Sequence, residues 1–185
     1  MKNFFAFGMI LTVASAVTAG EAVKSGPQTG DKLGAFYVTK CAGAETDGVA
    51  EGKNLCYRCR NGAKPQVVIF TRSTDANVIE LVKQLDKAIT ENKDSKLTAF
   101  VNVLGDEKEG LSKAAKKLAK ATKATNVPFV VPNEFENGPD DYGISPKAAV
   151  TIILASELGV KANFAVSDVS DLDTAAVIAD LKKIL

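Results

Sequence analysis

Continuously apolar segments alternate with amphipathic segments along most of this chain. QVVIFTR at 66–72 begins with an unbroken apolar run, which is typical of a central strand buried on both faces. Thr74 and Asp75 follow it and are both suited to cap a helix. Beyond them, apolar residues recur at three- and four-residue spacing, the period of an amphipathic helix, at Val78, Leu81, Val82, Leu85 and Ile89. The pattern therefore predicts a helix that starts directly at the carboxyl end of the strand.

The same alternation continues toward the carboxyl terminus. In order, the pattern predicts a strand at 96–105, a helix at 109–124, a short strand at 127–132, a loop, strands at 149–156 and 160–167, and a helix at 170–185. The last two strands are predicted to form a hairpin about Leu158 and Gly159, and Ser170 or Asp171 is suited to cap the last helix.

Before the central strand the pattern is less regular. AFYVTK at 35–40 predicts a short strand, and the turn-rich segment at 41–52 predicts the loop of an irregular hairpin that returns near Leu55. Alternation followed by a terminal hairpin and helix indicates one α/β domain, with a mixed central sheet and helices on both faces.

The first 19 residues have the pattern of an export signal. Lys2 precedes an apolar core at 4–17, and small residues lead to an expected cleavage after Ala19. The core is shorter than the roughly 20 apolar residues of a membrane span and is interrupted by Gly8 and Ser15. We therefore expect a protein exported to the periplasm or the medium, without a stable membrane span after cleavage.

Composition adds limits on partners and organisation. Net charge is +1 for the whole chain, and removing residues 1–19 deletes only Lys2 among the charged residues, so nothing electrostatic favours a nucleic-acid partner. Residues 20–34, rich in Gly, Lys, Gln and Thr, are interpreted as a flexible leader, and residues 35–185 as the domain.

The chain contains three cysteines and no histidine. The absence of histidine excludes imidazole zinc sites and Ser-His or Cys-His nucleophile pairs. It also excludes covalent haem at Cys-x-x-Cys-His, since Arg60 follows Cys59. In an oxidising compartment, an odd count predicts one bridge plus a free thiol, or an intermolecular bond.

The order of elements resembles the thioredoxin-like superfamily, and within it the peroxiredoxin and thiol-specific antioxidant layout. Three pieces carry the resemblance: GDKLGAFYVT at 30–39, KPQVVIFTR at 64–72, and the late stretch VPFVV through DYGISPKAAVTIIL. It implies a three-layer sandwich over most of residues 30–185.

The chain departs from that family at its usual reactive positions. A peroxiredoxin cysteine, or a thioredoxin Cys-x-x-Cys, would follow the central strand, where this chain has TRSTDAN at 71–77. A peroxidase mechanism through that cysteine is therefore not expected. Where thioredoxins carry a proline before the hairpin, this chain has Ala148, with Pro146 two residues earlier.

The candidate chemistry lies in CYRC at 56–59, before the central strand rather than after it. Two thiols at this spacing can close a ring and reopen it by exchange with a protein thiol or disulfide, without a cofactor. Arg58 and Arg60 are positioned to lower the pKa of a sulfur. By analogy with thioredoxins, Cys56 is expected to attack and Cys59 to resolve, although the pattern predicts no helix start at Cys56.

Three alternatives remain open for these cysteines. In the first, the Cys56–Cys59 bridge is inert and structural. In the second, Cys41 pairs with Cys56 or Cys59 across the hairpin. In the third, the three thiolates form a metal site that lacks one ligand. With structural cysteines, the chain would be a non-catalytic binding or scaffold module, so enzymatic activity stays an open question.

Arg72 lies at the end of the central strand. It suits an anion site or, as the favoured interpretation, an ion pair or a carbonyl cap.

Overall fold

The structure is a computed structural model that describes residues 23–185. The expected signal peptide at 1–19 and the start of the leader lie outside the described residues. The helices and strands are β1 Val38–Ala42, β2 Asn54–Leu55, α1 Tyr57–Asn61, β3 Gln66–Thr71, α2 Ala76–Glu91, β4 Thr98–Val103, α3 Lys108–Thr122, β5 Phe129–Pro132, β6 Val150–Ser156, β7 Gly159–Val166 and α4 Thr174–Ala179. No helix within residues 23–185 has both the length and the apolar character needed to cross a membrane.

All seven strands form one mixed sheet in the order β2-β1-β5-β4-β3-β6-β7. The central strand β3 pairs in parallel with β4 and antiparallel with β6, and all six of its residues are buried. The prediction that the apolar run of β3 forms a strand buried on both faces is therefore confirmed. The predicted α/β class with a mixed central sheet is confirmed, and so is the hairpin of β1 with β2 near Leu55.

Helices cover the two faces of the sheet unequally. Val67 and Ile69 point to the face covered by α2, α3 and α4, whereas Val68 and Phe70 point to the other face. α2 and α3 share a face because both β3-α2-β4 and β4-α3-β5 are parallel crossovers that step the same way across the sheet. Within residues 23–185, the second face carries only the five-residue α1, together with irregular segments before β1 and between β5 and β6.

The segment before β1 packs against the domain over its described part. Ser25 is buried and its Oγ lies 2.6 Å from Oγ1 of Thr151. Leu33 is buried on the second face of the sheet, and backbone hydrogen bonds join Gly30, Asp31 and Leu33 to the start of β7. Residues 23–34 therefore differ from the expected flexible leader, because Ser25 and Leu33 are buried against the rest of the domain.

The terminal elements match the prediction except at the last cap. β6 and β7 form the predicted hairpin, and Glu157 and Leu158 in its turn have φ of 53° and 67°, as the favoured two-residue turns require. The predicted caps Ser170 and Asp171 are wrong, because these residues belong to a separate 3₁₀ turn. α4 is capped instead by Asp173, whose carboxylate accepts a hydrogen bond of 2.9 Å from the Ala176 amide.

Candidate functional site

Cys56 and Cys59 form a disulfide, with their Cα atoms 5.2 Å apart. The motif lies at the start of α1, and Cys56 is its N-cap residue. Its Sγ accepts a hydrogen bond of 3.0 Å from the backbone amide of Cys59. The expectation of no helix at Cys56 is therefore wrong, because a helix of five residues is too short to show hydrophobic periodicity.

The two halves of the disulfide differ in exposure. Cys56 is only 8% exposed, whereas Cys59 is exposed to solvent. Tyr57 between them is buried and its ring stacks on Phe100, which holds the first turn of α1 against the sheet. The cysteine expected to attack is therefore the less accessible of the two.

Arg58 and Arg60 donate hydrogen bonds to backbone carbonyls of neighbouring segments. Arg58 donates to the Leu33 carbonyl oxygen, and Arg60 donates to the Asp47 carbonyl oxygen. The hydrogen bonds of both guanidinium groups thus tie α1 to neighbouring segments.

A buried ionic network, which the sequence pattern did not reveal, supports the motif from the hairpin loop. The Lys40 side chain is 2% exposed, and its Nζ donates to Asp47 Oδ1 at 2.8 Å and to the carbonyl oxygens of Ala44 and Val49. Tyr57 donates its hydroxyl to Asp47 Oδ2 at 2.6 Å. Asp47 therefore links Lys40 of β1 to Tyr57, the first residue of α1.

This network shifts the pKa values of Asp47 and Tyr57. Burial opposes ionisation of Asp47, but its hydrogen bonds from Lys40 and Tyr57 outweigh that effect and lower the pKa of the carboxyl group. Burial and the hydrogen bond to Asp47 raise the pKa of the Tyr57 hydroxyl. The network is therefore a carboxylate held between an ammonium and a neutral phenol at neutral pH.

Cys41 does not pair with either cysteine of the motif. It is a free thiol, buried in the cluster under α2 and α3, whereas Tyr57 of the motif belongs to the cluster on the other face of the sheet. Burial raises the pKa of the Cys41 thiol. The expected alternative of a bridge across the hairpin is therefore not the one formed.

The usual reactive position of the fold, after the central strand, is occupied by other contacts. Arg72 donates from Nη1 to the Glu136 carbonyl oxygen at 2.7 Å and from Nη2 to Asn137 Oδ1 at 2.8 Å. These bonds make it a cap of the loop between β5 and β6. No peptide bond among residues 23–185 is cis, so Pro146 does not reproduce a cis-proline loop.

Solved structures share the fold of this chain at low sequence identity. A protein assigned as the thiol:disulfide interchange protein DsbE from Chlorobium tepidum is 16% identical, with a TM-score of 0.59 over 85% of this chain and 99% of that one. A thiol-disulfide oxidoreductase from Bacteroides fragilis is 18% identical, with a TM-score of 0.56 over 84% of this chain and 100% of that one. AhpC from Mycobacterium bovis is 12% identical, with a TM-score of 0.58 over 84% of this chain and 92% of that one.

No protein-family model matches the sequence, and no curated protein matches it. The family resemblance therefore stands on the arrangement of strands and helices rather than on sequence similarity. The chain has the thioredoxin-like fold, with its paired cysteines before the central strand instead of after it.

Proposed function

We propose that this chain is a thiol-disulfide exchange protein whose redox centre is the Cys56–Cys59 disulfide. The observation that carries the proposal is the asymmetry of this bridge, which has one exposed cysteine and one buried, hydrogen-bonded sulfur. Exchange requires an accessible sulfur and a stabilised thiolate, and this arrangement supplies both.

The implied reaction is exchange with a thiol or disulfide of a protein partner, without a bound cofactor. Two fold neighbours are described as a thiol:disulfide interchange protein and a thiol-disulfide oxidoreductase, which supports this class of reaction. The ring closed by the bridge is also very short, with a sequence separation of 3, so it restricts the unfolded chain little. A purely stabilising role would be better served by a longer loop.

The proposed site replaces the usual one of the fold. The loop from β3 to α2 has no cysteine, and Arg72 there is engaged by the loop between β5 and β6. Arg58 and Arg60 support the proposed site by holding α1 in place. The backbone amide of Cys59 donates a hydrogen bond to Cys56 Sγ.

Redox titration tests the proposal. The purified protein is equilibrated in glutathione or dithiothreitol buffers and its free thiols are trapped by alkylation. We expect a two-electron transition at about −270 to −120 mV, the range of known exchange proteins. A Cys41→Ala variant is the control, because it removes the third thiol and should leave the transition unchanged.

A midpoint below about −300 mV would contradict the proposal and favour a structural bridge. The engagement of both arginines with backbone carbonyls is the observation that favours this second candidate, a non-catalytic binding or scaffold module. The two candidates predict different potentials, so one titration separates them.

Export to the periplasm or the medium is part of the proposal and rests on the signal pattern of residues 1–19. An oxidising compartment is also where a disulfide persists. Expression of the full chain should yield a product that begins at Gly20, detected by intact-mass measurement of the exported fraction. Recovery of only the uncleaved chain from the cytoplasm would contradict this expectation.

A further inference from the structure

We propose that Cys59, not Cys56, is the sulfur that an incoming thiolate attacks, and that Cys56 is the leaving thiol, which resolves the mixed disulfide when the exchange runs in the reverse direction. This inference rests on the proposed exchange function and assigns the order of events within it. The order is the reverse of the one expected by analogy with thioredoxins.

Access is the first argument. Thiolate attack on a disulfide proceeds in line, with the incoming sulfur opposite the sulfur that leaves. Attack on Cys59 therefore comes from the exposed side of the bridge, whereas attack on Cys56 would have to come from the side of the protein. Cys56 is closed on that side by its burial, at 8% exposure.

The stability of the leaving group is the second argument. The amide of Cys59 donates to Cys56 Sγ at 3.0 Å, and an amide donor stabilises a thiolate more than a neutral thiol. A better stabilised thiolate leaves faster. The hydrogen bond thus favours departure of Cys56 and, in the same step, attack on Cys59.

The exchange is balanced without any further reagent. A partner thiolate forms a bond to Cys59 Sγ, the Cys56–Cys59 bond breaks, and its electron pair leaves with Cys56 as a thiolate. A second thiolate of the partner then attacks the partner sulfur of the mixed disulfide and releases Cys59 as a thiolate. The partner dithiol is oxidised by two electrons, and the motif is reduced by two electrons.

Single-cysteine variants with glutathione disulfide as the probe test the order. The variants are Cys41→Ala/Cys56→Ser, which keeps only Cys59, and Cys41→Ala/Cys59→Ser, which keeps only Cys56. We expect the Cys59 protein to form its glutathione adduct at least about tenfold faster at the same pH, measured by intact mass. In denaturant, where the fold no longer distinguishes the sulfurs, the two rates should converge.

Equal rates in the folded proteins, or faster reaction of Cys56, would overturn the inference. Circular dichroism establishes that both variants fold, and the wild-type protein provides a second measurement that needs no substitution. Its disulfide is opened with reduced glutathione, quenched with acid and mapped by peptide mass. Glutathione on Cys59 supports the inference, and glutathione on Cys56 overturns it. Neither result depends on the midpoint potential, so the inference and the proposed function can fail separately.

Discussion

Replacement of Phe36 by alanine is expected to destabilise the protein by about 4 kcal/mol, the usual cost of removing a buried phenylalanine ring. Phe36 is 4% exposed, and its ring centroid lies 5.8 Å from that of Phe70, 5.9 Å from that of Phe100 and 5.0 Å from that of Tyr142. Phe36 therefore contacts all three of these aromatic rings, on the face of the sheet that α1 covers. Denaturant unfolding followed by circular dichroism measures the loss.

Tyr37→Ala is the matched control, because Tyr37 is the next residue and is 55% exposed. We expect it to change the free energy of unfolding by less than about 0.5 kcal/mol. Similar losses for the two variants would contradict the central place given to Phe36. They would mean that the segment before β1 contributes through its backbone rather than through this ring.

The second large effect is expected from Asp47→Ala. This change removes the carboxylate that pairs with the buried Lys40 ammonium and accepts the Tyr57 hydroxyl. Removing one member of a buried ion pair leaves the other charge without compensation, at a cost of about 3 kcal/mol. Part of the loss should appear as loosening of α1, seen as a faster reaction of the disulfide with dithiothreitol.

The loss of unfolding free energy caused by Asp47→Ala should become smaller as the pH falls. The pKa of Asp47 is lowered in the folded protein, so its stabilising contribution is complete above the unfolded pKa of about 3.9 and falls as the pH drops through the folded pKa. Unfolding of wild type and variant at pH 7 and below pH 3 should therefore show a difference that shrinks in acid. Glu45→Ala, an exposed acid in the same loop, is the control and should have little effect at either pH. A pH-independent difference would contradict the ionic role of Asp47.

The sequence predicts those parts of the fold where one local pattern decides the structure. The local pattern predicts β3 and α2, because buried positions must be apolar. This gives β3 its continuous apolar run and gives α2 the spacing of Val78, Leu81 and Leu85. The same logic fails for α1, which is one short turn without a period, and for Lys40, a charged residue at a buried strand position. Lys40 is buried because Asp47, seven residues later in an irregular loop, reaches it, and no local rule specifies that contact.

The candidate site was predictable in its residues but not in its geometry. Cys56 and Cys59 are evident from their spacing, and their bridge leaves Cys41 unpaired. Which cysteine faces solvent depends on how Tyr57 packs against Phe100, a residue of a distant strand. The partners of Arg58 and Arg60 depend in the same way on segments that meet α1 only in the folded chain.

The segment before β1 also covers part of one edge of the sheet. β7 is the last strand of the sheet and is eight residues long, which is the kind of open edge that can template intermolecular strand addition. Asp31 accepts a hydrogen bond from the Val160 amide, and Gly30 and Leu33 donate to the Val160 and Leu158 carbonyl oxygens, so the segment occupies the beginning of that edge. A chain shortened through residue 33 would lose this cover, and its β7 edge would become a site for aggregation as well as a less stable part of the fold.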